Sequence, residues 1–245
     1  MKPFFCPTHS STDKAMNLEN RAQHWHRRPL VCLCWIVFTC LLSNQAFAHP
    51  LTDGLEKLPA SGVAWAYLKL GFTHILPLGY DHVLFVLGLY FLNPRLKTVV
   101  WQATAFTVAH SLTLGLAMNG LINPPAYLIE PIIALSIAFV AIENLVTDQL
   151  KWWRTLVIFG FGLIHGCGFA GILGELGMPA NHFFTALLSF NVGVEIGQLT
   201  VILTAYFLVG RWFGQKTWYR QRIVFPVSAL IAVIALYWTI ERAFL

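Results

Sequence analysis

The chain is 245 residues long, 57% hydrophobic and only 11% charged, with a formal net charge of +5. A soluble domain carries roughly 25% charged residues, and a water-facing surface has no place for so much apolar side chain, so an ordinary soluble domain is excluded. Much of the basic excess lies before residue 49 or between apolar runs, where it suits a membrane topology rather than nucleic acid.

Residues 1–48 are expected to be a cleavable signal peptide. Arg27 and Arg28 make a basic start, Leu30 to Leu42 an apolar stretch too short to span, and Ala46-Phe47-Ala48 an A-x-A cleavage site. Met1 to Asn20 extends the usual basic region, and Met16 offers an alternative start. The twin arginine lacks the rest of a Tat signature, which favours Sec export. Cleavage would remove Cys6, Cys32, Cys34 and Cys40, leaving Cys167 without a disulfide partner.

The mature chain is then expected to begin at His49, with an exported segment over 49–70 in which Ala64 to Leu70 forms a short interfacial helix. Six spans follow over 71–245: Gly71–Leu92, Thr98–Met118, Tyr127–Val146, Thr155–Leu173, Phe183–Val209 and Ile223–Ile240. Most have the ~20 residues needed to cross the hydrocarbon. The fold class is therefore all-α, a polytopic membrane helix bundle of about six transmembrane helices. The connections after the odd-numbered spans hold Arg95, Lys97, Lys151, Arg154, Arg211, Lys216, Arg220 and Arg222, whereas 119–126 and 174–182 hold no Lys or Arg. That asymmetry places the odd connections in the cytoplasm and the mature N-terminus on the exported side of the bacterial inner membrane. Glu241-Arg242 is expected to be a solvated helix end, and the aromatic residues are expected mainly at interfaces and against lipid.

Ionisable residues within spans cost about 2.5–3.5 kcal/mol each on insertion scales and mark function by default. Here they are numerous: His74, Asp81 and His82 on the first span, His110 on the second, Glu130 and Glu143 on the third, His165 on the fourth, and Glu195 on the fifth, where the polar amides of Asn191 and Gln198 share its stripe. Counting ~1.5 Å per residue brings Asp81, His82, His110, His165 and Glu195 to one level near the midplane, with His74 and Asn191 nearer the exported side. Pro77 and Gly79 interrupt the first span just before Asp81-His82, and broken helices near the midplane make ion sites in transporters. A structural role for any single histidine is an interhelical hydrogen bond. Imidazole with a few carboxylates suits nickel, cobalt or zinc better than magnesium or calcium.

At these positions the sequence carries recognisable motifs. Gly71-Phe72-Thr73-His74, Gly79-Tyr80-Asp81-His82, the run from Thr104 to Ser111, Glu143-Asn144-Leu145, the run from Gly162 to Ala170, and Phe190-Asn191-Val192-Gly193-Val194-Glu195-Ile196-Gly197-Gln198 resemble the HupE/UreJ family, from about His49 to the sixth span. The resemblance implies nickel or cobalt supply to hydrogenase and urease, with metalloenzyme maturation proteins as partners beside the lipid bilayer and the metal ion. Asp81-His82 and Ala109-His110-Ser111 are also similar to nickel/cobalt transporters, with one departure: six residues separate His74 from Asp81, where that motif has four.

The leading expectation is passage of a divalent transition metal, nickel or cobalt, through a site of Asp81, His82, His110, His165 and Glu195, entered past His74 and Asn191. The alternatives are an intramembrane metal hydrolase, in which three histidines, Asp81 and Ser111 or Ser136 hold zinc and activate water, and an accessory membrane subunit whose polar residues join helices. His49 adds an entry site if cleavage exposes it. Its α-amine, with a pKa of about 7.7–8.0, and its imidazole would then make a two-nitrogen chelate, which Pro50 limits by offering no N–H. The plainer possibility is that His49-Pro50 simply follows the cleavage site.

Overall fold

The computed structural model describes residues 58–244. The expected signal peptide, its cleavage after Ala48, and His49 lie outside the described residues. Among the described residues there are helices and no strand.

The chain enters helix α1 (Ala60–Ile75) from Pro59, at a position where a missing N–H costs nothing. Pro77 then forbids continuation, and the chain turns over residues 76–79 into α2 (Tyr80–Leu92), bent 67° from α1. Gly79 is needed in this turn because a Cβ there would run into the backbone carbonyl of His74. The break expected at Pro77 and Gly79 is present, but the expected interfacial helix and the start of the span at Gly71 are corrected to one helix running from Ala60 to Ile75. At ~1.5 Å per residue α2 is about 20 Å long, too short for a ~30 Å hydrocarbon core by itself. Ten of its 13 residues are buried. It packs against α1 and the helices Leu96–Met118, Ala126–Val146, Phe183–Ala205 and Phe225–Phe244, and it meets the helix Arg154–Leu176 through Phe85, whose ring lies 6.1 Å from that of Phe161. It is the axis of the bundle.

The remaining helices lie close to their expected ranges: α3 (Leu96–Met118), α4 (Ala126–Val146), α5 (Arg154–Leu176), α6 (Phe183–Ala205) and α7 (Phe225–Phe244). A π-turn over Tyr206–Gly210 extends α6 to Phe213, and another over Arg220–Val224 leads into α7. Four stretches, 126–146, 154–171, 180–213 and 220–244, are long and apolar enough to cross a membrane, and the bent pair α1–α2 makes a fifth if taken as one broken span. Helix α3 has the length, 23 residues, but carries too many polar groups to join them by composition. Those groups point inward: Gln102, Thr107, His110 and Thr113 are buried, while Trp101, Val108 and Leu112 are exposed. A polar interior with an apolar exterior inverts the pattern of a soluble helix and suits lipid. The chain is a multi-pass membrane protein.

The helices associate as three close pairs, α1 with α6, α3 with α5, and α4 with α7. Small residues bring the backbones together. A Cβ on Gly193 of α6 would strike the Leu68 carbonyl of α1, and one on Gly71 would strike the Phe190 carbonyl in return. On α5, Gly162 and Gly166 press in the same way on the carbonyls of Phe106 and His110. These contacts fix the height of His74 and His110 in the bundle.

Two of the cations expected in loops hold helices instead. Arg154 is buried and its Nε lies 3.0 Å from Oε2 of Glu143, joining α5 to α4. Arg220 donates from Nη1 to the Thr147 carbonyl at 2.9 Å, beyond the last turn of α4. Asn144 donates from Nδ2 to the Gly88 carbonyl at 2.8 Å and to Ser228 Oγ at 3.2 Å, tying α2, α4 and α7 together.

Candidate metal centre

The break between α1 and α2 creates the site. His74 sits in the last turn of α1 and His82 in the first turn of α2, so the 67° bend folds one ring back on the other, with centroids 4.7 Å apart. His110 comes from α3, its ring 6.4 Å from His74 and 5.9 Å from His82. One ring nitrogen from each of the three lies within 4.8 Å of the other two. A point equidistant from atoms at that spacing is about 2.8 Å from each, against ~2.0–2.1 Å for a zinc–imidazole bond. Each ring would have to advance less than about 1 Å to ligate, so the cluster is an open cradle rather than a closed cage.

His165, from α5, lies beside the cluster with its ring 5.2 Å from that of His82. Its Nε2 is 2.9 Å from Ser136 Oγ on α4. Asn191, from α6, places Oδ1 3.2 Å from His110 Nδ1 and donates from Nδ2 to the Leu187 carbonyl at 2.8 Å. The Nε2 atoms of His74, His82 and His110 and the Nδ1 atom of His165 are buried and have no hydrogen-bond partner.

Phenylalanines wall the site. Phe169 lies 3.9 Å from His74, Phe106 5.6 Å from His82 and 4.9 Å from His165, and Phe85 5.5 Å from His165, all between ring centroids. Phe190 stacks on Phe169 at 5.0 Å. All four are buried, an inward-facing minority beside exposed aromatic residues such as Trp65, Trp101, Trp152 and Trp212. The signal was present in the spacing: Phe85, Phe106 and Phe169 stand three or four residues from His82, His110 and His165, on the same helix faces.

The other expected site residues are placed differently. Asp81 forms a two-pronged ion pair with Arg242 of α7, at 3.0 and 3.1 Å. Neighbouring residues on a helix point about 100° apart, so turning His82 inward turns Asp81 toward α7. Arg242 is accordingly a paired residue, not a solvated helix end. Glu195 accepts a 2.6 Å hydrogen bond from Thr104 Oγ1, and its buried Oε2 has no partner; it stands one turn beyond Asn191, outside the three-histidine cluster. His74 and Asn191 lie against His82 and His110, because the 67° bend brings together residues that a straight helix would keep apart. Glu130 is exposed, and Glu143 is taken by Arg154.

If Asp81 acts through its ion pair, Asp81→Asn and Arg242→Gln should weaken cobalt binding to the purified protein by similar factors. An Asp81 variant at least about tenfold worse than the Arg242 variant would make the carboxylate a ligand, since loss of supporting residues costs about 10–100-fold in metal sites.

A family model described as HupE / UreJ protein matches residues 55–242. No curated protein and no solved structure matches the chain significantly.

Proposed function

Since the chain belongs to the HupE/UreJ family, we propose that it passes a divalent transition metal, nickel or cobalt, across the bacterial inner membrane through the His74, His82 and His110 cradle, with the mature N-terminus on the exported side. The observation that carries this reading is the set of four buried imidazole nitrogens without partners, gathered from four helices. Each unpaired buried polar atom costs about 1–3 kcal/mol, and no water from the bilayer core relieves it. A bare imidazole lone pair in such a place is relieved by a proton donor or by a metal ion. Neutral imidazole ligands favour nickel, cobalt or zinc over magnesium and calcium. The loose spacing and the phenylalanine walls suit a cation that is held briefly and released. Metalloenzyme maturation proteins would receive it on the cytoplasmic side.

A hydrolase would draw on Ser136 and His165, which are 2.9 Å apart. Ser136, however, directs its hydrogen to the Ile133 carbonyl at 2.7 Å, so His165 is not placed to accept it as a general base. The pair is better suited to holding a ring than to activating a nucleophile.

Cobalt titrated into the detergent-purified protein should give the visible absorption of a nitrogen-rich site. His110→Ala, which removes one of three ligands, should abolish that band while the protein elutes as the wild type does. No band in the wild type, or an equal band in single alanine variants of all three histidines, would overturn the reading.

A further inference from the structure

The hydrogen bonds of Ser136 and Asn191 determine which nitrogen each of two histidines exposes. Ser136 Oγ lies 2.7 Å from the Ile133 carbonyl oxygen and 2.9 Å from His165 Nε2. A carbonyl oxygen can only accept, so both contacts are satisfied together only when the one hydroxyl hydrogen goes to Ile133 and Ser136 turns a lone pair toward His165. Nε2 must then carry the ring proton. A neutral imidazole has a single N–H, which leaves Nδ1 of His165 bare, and Nδ1 is the atom that is buried without a partner.

Asn191 imposes the opposite choice. Its Nδ2 donates to the Leu187 carbonyl at 2.8 Å, which fixes the amide orientation, because the reverse flip would set two acceptor oxygens face to face. Oδ1 therefore accepts from His110 at 3.2 Å, Nδ1 of that ring carries the proton, and Nε2 is bare. In both cases a helix carbonyl anchors the chain of polarity: Leu187 of α6 for His110, and Ile133 of α4 for His165.

We infer that Asn191 and Ser136 are positioning residues that hold His110 and His165 in opposite ring tautomers, so that His110 offers Nε2 to the three-histidine cradle and His165 offers Nδ1 as a further ligand beside His82. Asn191 is then not itself a ligand. His165, whose ring is 5.2 Å from that of His82, becomes the next imidazole a cation meets on leaving the cradle. The same hydrogen bonds keep each ring from turning its protonated edge toward the metal. The consequence for the metal rests on the proposed passage of nickel or cobalt, whereas the tautomers are properties of the metal-free protein and are tested without any ion.

The test is nitrogen NMR of the metal-free protein labelled with 15N-histidine, since protonated and bare imidazole nitrogens have well-separated shifts. His110→Gln and His165→Gln identify the two rings by loss of their signals. The wild-type spectrum is decisive by itself: it should show His110 protonated at Nδ1 alone and His165 at Nε2 alone. Ser136→Ala should give His165 a mixture of tautomers and leave His110 unchanged, and Ser136→Thr, which keeps the hydroxyl, should restore the single form. Asn191→Leu should do to His110 what Ser136→Ala does to His165. A bare Nε2 on wild-type His165, or a single unchanged tautomer in Ser136→Ala, overturns the inference. Cobalt affinity, measured on the same samples, should fall about 10–100-fold in Asn191→Leu, as for other residues that support metal ligands. Tautomers as expected with no cobalt binding in any sample would leave the positioning role standing and remove the metal-passage reading.

Discussion

Replacing His82 by alanine should lower nickel or cobalt passage by at least about a hundredfold and leave the protein in the membrane in normal amount. Loss of a residue that merely supports a ligand costs about 10–100-fold in metal affinity, and His82 occupies the centre of the site. Its ring neighbours those of His74, His110 and His165 at 4.7, 5.9 and 5.2 Å. Of these four rings only His82 neighbours the other three, so its removal would interrupt both the cradle and the proposed step toward His165. Helix α2 should survive the change, since nine other residues of that helix are buried apolar or glycine positions. The comparison that matters is with Glu195→Gln, which keeps the shape of a residue outside the cradle and should cost less. Equal passage in His82→Ala and wild-type vesicles would refute the role assigned to this ring.

The buried ion pair between Glu143 and Arg154 should show the largest effect on stability. Their side chains are 9% and 1% exposed, so Glu143→Gln strands a guanidinium that is almost wholly covered and, among the described residues, forms no other ion pair. Breaking a buried pair from one side costs about 3–5 kcal/mol, while replacing both members by apolar residues of similar size is often close to neutral. Thermal unfolding in detergent should accordingly fall sharply for Glu143→Gln and recover in the double variant Glu143→Leu with Arg154→Met. A single variant as stable as the wild type would mean that Arg154 reaches water.

Local features of the sequence were enough for most helix ranges. Tyr127–Val146 was expected where Ala126–Val146 is found, because Pro124 and Pro125 precede an unbroken apolar run that ends at Thr147 and Asp148. The break at Pro77 and Gly79 was also legible, but its 67° angle was not. Depth along a straight helix therefore sets His74 apart from the histidine that it faces across the bend. What local pattern could not supply is pairing across the chain. Asp81 and Arg242 are 161 residues apart, and nothing in either neighbourhood names the other. The choice of Asp81 as a site residue followed from its place next to His82, whereas on a helix adjacent residues face different neighbours. Arg154 reads as a loop charge because it follows Lys151, Trp152 and Trp153, and only packing of α5 on α4 reveals its carboxylate partner. The phenylalanine walls were missed for a related reason: in a lipid-embedded helix an inward and an outward Phe look alike by composition, and only their spacing from the histidines separates them.

Flux into vesicles bears most directly on the proposal that the three-histidine cradle passes a transition metal. Purified protein reconstituted into liposomes holding a metal-sensitive dye should admit nickel or cobalt faster than protein-free liposomes, should admit magnesium and calcium no faster, and should lose the difference in His82→Ala. Nickel and cobalt entry no faster than in protein-free liposomes, or entry that persists undiminished in the His82→Ala protein, would contradict it.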